Sequence, residues 1–173
     1  PPAGGPPVVP LNLVGDFGGG SMYLSFGILC AVYEARASGR GQVVDAAIVD
    51  GAHHLMAAVY STMAAGSWRD GRANMLQGAA PWYSVYETQE GRYVSIGSLE
   101  PRFYQTLVAR IGLAGEFGAS QNDRSMWPQM RERFAAVFKS RTRGEWDRVF
   151  EGAEVCYAPV LSLNEVDSHP HMQ

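Results

Sequence analysis

Residues 22–33 are apolar at every position except Ser25 and Gly27, and this run constrains the fold more than any other part of the chain. A helix without a polar stripe has to be covered on nearly all sides. Immediately before it, Leu11-Asn12-Leu13-Val14-Gly15 carries one carboxylate, Asp16, into the glycine cluster Phe17-Gly18-Gly19-Gly20-Ser21. Such a turn lets backbone approach a ligand closely, and a helix start behind it offers free N–H groups. Arg36 in the last turn and Ser38-Gly39 behind it predict where the helix stops. Gln42-Val43-Val44-Asp45-Ala46-Ala47-Ile48 then reads as a short buried strand, too continuously apolar for one solvated face. Loop, buried helix, turn and buried strand, in that order, predict the last unit of a parallel α/β domain.

The rest of the chain has a different grain. Asp50 is placed to cap a helix over residues 51–65 that Gly66 ends. Residues 67–80 lack periodicity and read as a linker. Residues 82–88 and 92–98 are two β runs across Gln89-Glu90-Gly91, a hairpin signal. Residues 100–111 form an amphipathic helix with Phe103, Leu107, Val108 and Ile111 on one face. Residues 124–139 form another, with Met126, Met130, Phe134, Val137 and Phe138 inward. Thr142 with Glu145 three residues later is a capping-box signature, opening a helix over 142–151 that turns Trp146 and Phe150 to the core. Residues 157–162 are a candidate strand, which Pro159 limits to an edge or a strand start. The second half is thus a small α+β unit.

Composition excludes some classes of function. A net charge of −3 over 173 residues and a single lysine, Lys139, do not make a nucleic-acid surface, since phosphate binding needs concentrated cations. The longest apolar run, 22–33, is too short for a bilayer. Cys30 and Cys156 are far apart, without CxxC spacing or a histidine cluster, and are expected as buried thiols in a reducing, cytoplasmic setting. The Pro1-Pro2-Ala3-Gly4-Gly5-Pro6-Pro7 leader has neither a basic nor an apolar region of a signal peptide. It reads as an extended loop, and both ends look like cuts from a longer protein.

Two acids invite chemistry, and each also has a plain reading. Asp16 either caps the helix behind the glycines or acts as a general acid/base, which requires desolvation beside Phe17, Tyr23 and Phe26. Glu100 lies in Ile96-Gly97-Ser98-Leu99-Glu100-Pro101-Arg102-Phe103-Tyr104, where a strand pattern ends in small residues and Glu100-Pro101 opens a helix. Its plain reading is an acid in the first helical turn, with Ser98 as the cap.

Taken together, the Gly-Asp-Phe-Gly-Gly-Gly-Ser segment and the Gly-Ser-Leu-Glu-Pro-Arg-Phe-Tyr segment resemble the α-methylacyl-CoA racemase branch of the class III (CaiB/BaiF-type) CoA-transferase family. The resemblance runs along nearly the whole chain. It implies an α/β fold: the C-terminal unit of a parallel-sheet CoA-binding domain (1–49), a linker helix and loop (50–81), a small α+β domain (82–166) and the start of a return linker (167–173). It implies racemisation at C2 of 2-methylacyl-CoA thioesters through an enolate. Asp16 matches one acid/base; Glu100 matches the glutamate that orients a catalytic histidine. Met75 is the methionine the resemblance places near the acyl group, and Tyr83 matches a substrate-binding position facing the active site, its plain reading being an ordinary aromatic strand residue. Met126 and Met130 stay with the core.

By the same resemblance no cofactor is needed, because coenzyme A is part of the substrate. Two full-length chains interlock, without nucleic acid or membrane as partner, and Glu100 serves the other chain's site. The family's histidine lies ahead of the Asp16 segment and matches none of His53, His54, His169 and His171, so the chain alone is expected to be inactive. Two other functions stay open. A class III CoA-transferase uses the aspartate as an acyl-carrying nucleophile, although it has a glycine run where this chain has Gly97-Ser98-Leu99-Glu100. A non-catalytic folding or interaction module would use both acids merely as caps.

Overall fold

Glycine decides how the first half of the chain is put together. A computed structural model describes residues 9–68, 71 and 73–173, which leaves the Pro/Gly leader at residues 1–7 and linker residues Arg69, Asp70 and Arg72 outside the described residues. The chain divides into two compact units, Pro1–Gly71 and Arg72–Gln173.

In the first unit, Leu13–Met22 winds as a π-helix and continues without a break into α1, Tyr23–Ser38. Gly39 closes α1 in the left-handed conformation, its N–H on the Ala35 carbonyl, as the Ser-Gly signal predicts. α2, Ile48–Leu55, crosses the π-helical segment so closely that a Cβ on Gly51 would lie 1.9 Å from the Gly19 carbonyl oxygen. A Cβ on Gly19 would lie 2.7 Å from the Ala52 nitrogen. α3, Ala57–Ala64, follows a break at Met56 and ends before Gly66, whose φ is +67°.

Several expectations for this unit are overturned. The expected strand over 42–48 is irregular chain at 42–47, and no described strand pairs with it, so its backbone groups have no ladder; Ile48 already belongs to α2. Val44 instead packs on α1 through the gap left by Gly27, where a Cβ would come within 2.7 Å of the valine side chain. The helix expected over 51–65 starts three residues earlier and is split in two, and Asp50 sits within its first turn, behind an N-cap at Ala47. Most importantly, no residue of α1 is buried. Leu24, Phe26, Ile28, Leu29, Val32 and Tyr33 are all exposed, because no described element covers them. Cys30 is exposed for the same reason, contrary to expectation. Because the helix runs on from Leu13 to Ser38, its 26 residues are long and apolar enough to cross a membrane, which the shorter run 22–33 is not. Length and composition are the whole of that signal, and core helices of soluble proteins carry it too.

The second unit follows its sequence closely. β1 (Tyr83–Glu87) and β2 (Tyr93–Gly97) form an antiparallel hairpin, and β3 (Tyr157–Val160) joins on the far side of β2, giving the order β1-β2-β3. Gly91 makes the hairpin turn with a φ of +77°, a conformation glycine adopts freely. Pro159, opposite Val94, is on an edge strand, where a missing N–H costs no ladder bond. The helices are α4 (Pro101–Arg110), α5 (Ala114–Phe117), α6 (Trp127–Phe138), α7 (Arg143–Phe150) and α8 (Leu163–Val166).

Val94 and Ile96 turn inward from β2 and Tyr86 from β1, meeting Leu107, Val108, Met130, Phe134, Phe138, Trp146 and Phe150 of the helices. Aromatic rings run through this core, from Tyr86 on Phe138 at 5.0 Å to Phe150 on Tyr157 at 4.5 Å. The Thr142/Glu145 capping box forms as read: the Thr142 side chain accepts from the Glu145 N–H, and the Glu145 carboxylate accepts from the Thr142 N–H at 2.8 Å.

Candidate functional site

Asp16 lies in the first turn of the π-helical segment, exposed, and its carboxylate makes no hydrogen bond or ion pair among the described residues. It is therefore not a helix cap. The open helix start expected behind the glycines is absent, because the helix runs straight through them: the Tyr23 N–H bonds the Gly20 carbonyl. Gly19 and Gly20 are buried against α2, so the cluster serves a helix crossing rather than a ligand-facing turn. Nor do the expected dry walls form in this unit, where Phe17 is 52% and Phe26 69% exposed. The Tyr23 hydroxyl meets His54 Nδ1 at 2.5 Å, and the His53 ring lies against Tyr60 with centroids 4.7 Å apart. These two histidines are thus partnered by tyrosines of their own unit.

Glu100 lies in the second unit, in the loop that leads β2 into α4. It is the N-cap residue of α4, extended at φ −71°, ψ 140°, with Pro101 following. Its side chain makes no capping bond and no ion pair. The plain reading gave the cap to Ser98, and that is overturned: Ser98 is fully buried and its hydroxyl donates to the Val155 carbonyl at 2.6 Å. Both acids singled out by the sequence thus lie at helix N-termini without making a capping hydrogen bond.

Of the two other positions, Tyr83 comes close to the Glu100 loop. It pairs with Gly97 across the hairpin, and its ring is 3.6 Å from where a Gly97 Cβ would stand. Met75 opens a short 3₁₀ turn, Met75–Gln77, and packs half-buried against the core cluster. Asp16 belongs to the other unit.

Two residues of this neighbourhood escape a reading of the sequence. Gln121, in the loop between α5 and α6, is buried and donates from Nε2 to the Leu99 carbonyl at 2.8 Å and the Ser98 carbonyl at 3.3 Å. Its only sequence signal is a polar residue after the Gly118-Ala119-Ser120 turn, which periodicity does not register. Cys156, expected buried, is exposed, with a φ of +50°. That backbone presents its carbonyl to the Gly97 N–H at 2.9 Å.

Comparison with known proteins gives this arrangement a context. The chain is 40% identical over 166 residues to the alpha-methylacyl-CoA racemase of Mus musculus and 38% identical to that of Homo sapiens, in each case covering 95% of this chain and 44% of the relative. A CaiB/baiF CoA-transferase family protein of Caenorhabditis elegans is 30% identical over 165 residues, 94% of this chain and 47% of its own length. The chain thus spans less than half the length of the curated relatives it matches. Among solved structures, Rv3272 of Mycobacterium tuberculosis superposes with a TM-score of 0.73 at 22% identity, over 97% of this chain and 45% of that one. This is likeness of fold alone. The resemblance carried by the Asp16 and Glu100 segments extends to every residue, because positions 1–173 match the profile of CoA-transferase family III, and the chain belongs to that family.

Proposed function

We propose that the full-length protein is an α-methylacyl-CoA racemase in which this chain supplies one acid/base and the group that orients the other. The observation that carries the reading is that Asp16 and Glu100 both keep carboxylates that no cap, ion pair or hydrogen bond among the described residues engages. The relatives that share 38–40% of its residues are named racemases, which favours this reaction over acyl transfer. One base takes the proton from C2 of the thioester, the electron pair moves into the carbonyl to give an enolate, and an acid on the opposite face returns a proton. Asp16 is one member of that pair and a histidine outside this chain the other. Glu100 holds the imidazole in orientation, and its charge favours imidazolium. Tyr83 and Met75 line the acyl group. The substrate brings its own coenzyme A, no further cofactor is required, and two full-length chains interlock.

The test is incubation of the full-length protein with a single C2 epimer of a 2-methylacyl-CoA in D₂O. Racemisation with deuterium at C2 is expected. Asp16→Asn should reduce racemisation by at least the 10²–10⁴-fold, roughly, that one positioned base is worth. Near-parent racemisation by that variant, or a trapped aspartyl thioester in the parent protein, sinks the reading. The latter result would make the protein a CoA-transferase, with Asp16 as its nucleophile.

A further inference from the structure

We infer that Gln121 is a positioning residue for Glu100, an assignment that rests on the role given to Glu100 above. The carboxylate of Glu100 touches nothing that holds it, so its location depends on the backbone that carries it. That backbone is clamped. The Gln121 amide faces two successive carbonyls, Ser98 and Leu99, and two acceptors fix its NH₂ end toward the loop. Gln121 is held in turn, because its own carbonyl accepts both the Trp82 and the Trp127 indole N–H, at 2.9 Å and 3.0 Å. The ring of bonds closes through Trp82, whose carbonyl accepts the Ser98 N–H at 3.0 Å. On the other side of the loop, the Ser98 hydroxyl and the Gly97 N–H bond the carbonyls of Val155 and Cys156.

The clamp serves folding and position together. The carbonyl of the buried Ser98 needs a protein donor, and the amide supplies it while also bonding the carbonyl of the exposed Leu99. What a buried amide adds is a fixed distance and direction. A group that must orient an imidazole gains from that, since displacement of about 1 Å costs on the order of 10²-fold in rate. Gln121 acts through Glu100 and touches no reacting atom.

The experiment measures kcat, KM and pH–rate profiles for racemisation in the full-length protein and four variants: Glu100→Gln, Gln121→Met, Gln121→Glu and the double variant Glu100→Gln/Gln121→Met. Gln121→Met keeps the volume and removes both donors. It should lower kcat by roughly 10–100-fold with little change in KM, and shift the profile in the same direction as Glu100→Gln. In the double variant it should add almost nothing to the loss from Glu100→Gln, because two residues acting as one unit are not additive. Gln121→Glu has an O–H to donate only when protonated, so its rate relative to the parent should rise as pH falls. Where Gln121→Met fails to fold, that pH-dependent ratio carries the test alone. Multiplicative losses in the double variant, an unchanged kcat for Gln121→Met, or a flat Gln121→Glu ratio overturns the assignment and leaves the role of Glu100 standing. An unchanged kcat for Glu100→Gln overturns the functional reading itself, and the positioning role falls with it.

Discussion

Gly51 contributes no side chain, and the way α2 meets the Asp16 segment depends on that absence. Its Cα faces the Gly19 carbonyl at a distance where a methyl group would overlap the oxygen outright, and Gly19 faces the backbone of Ala52 almost as closely. Neither obstacle is a flexible side chain able to swing away. Gly51→Ala has to push α2 off the π-helical segment, at a cost of at least the roughly 1–3 kcal/mol typical of overpacking. The same displacement moves the backbone that carries Asp16. In the full-length protein Gly51→Ala should therefore lower both the denaturation midpoint and the racemisation rate. Alanine at the exposed Gly41, which has open space around it, should leave both unchanged. A Gly51→Ala protein with the parent's midpoint would show that the crossing is wider than described. The sequence signalled the glycine cluster but not its use, because a tight turn and a helix crossing both call for residues without a Cβ.

At the scale of elements, α8 shows how a short helix is held. Its Glu165 accepts from Arg143 and Arg92 and from the Ser162 N–H and hydroxyl, tying the end of β3 to α7 and the hairpin. Arg143 and then Ser162 hold the Glu165 carboxyl well below the usual carboxylate range, and the Thr142 backbone lowers that of Glu145. A carboxyl whose folded pKa is depressed stabilises above its unfolded pKa, and the contribution is lost as pH falls toward the folded one. Stability of this unit should therefore decline as pH drops below about 4, where unfolded carboxyls take up protons. Glu165→Gln should flatten the decline while lowering stability near neutrality. Urea midpoints measured from pH 7 to pH 3 check both, and a parallel pH dependence in variant and parent would remove Glu165 from the account.

The elements most legible in the sequence were those whose signals are local. The Thr142/Glu145 capping box, the Gly91 turn, the edge proline and the inward faces of α6 and α7 need only a few neighbouring residues to be recognised. The run at 42–48 failed for the opposite reason: a strand is defined by its partner, and periodicity does not supply one. On α4 the core takes Tyr104, buried with its hydroxyl on the Phe117 carbonyl and its pKa pushed up to about 12 by burial, beside Leu107, Val108 and Ile111, and leaves the expected Phe103 half-buried outside it. The two acids stand out in the sequence because their motifs are short and distinctive. Gln121 does not, since what marks it is the direction of a buried amide within a loop.

For the whole molecule, the contrast between the units is one of buried surface. Among the described residues of the first unit only Gly19, Gly20 and Gly51 are buried, and none of them brings a side chain. Every buried hydrophobic residue described belongs to the second unit, where Trp82, Trp146, Tyr104, Phe117, Phe134 and Phe138 form the bulk of the core. Helices draw most of their stability from packing an apolar face rather than from propensity, and apolar burial contributes roughly 25 cal/mol per Å². In the 173-residue chain by itself, α1 has no such contribution from the elements described, while α4, α6 and α7 have it in full. Hydrogen exchange on that chain should show slow amides confined to β1, β2, α4, α6 and α7, and fast exchange through α1–α3. Dilution should separate two ways of escaping that result. Exposed apolar faces of this extent mark surfaces that associate, so protection of α1 that grows with protein concentration would reflect covering by other copies of the chain. Strong protection of α1 in a dilute monomer would mean that the first unit holds its helices without a buried apolar core, and the division of stability argued from burial would be wrong.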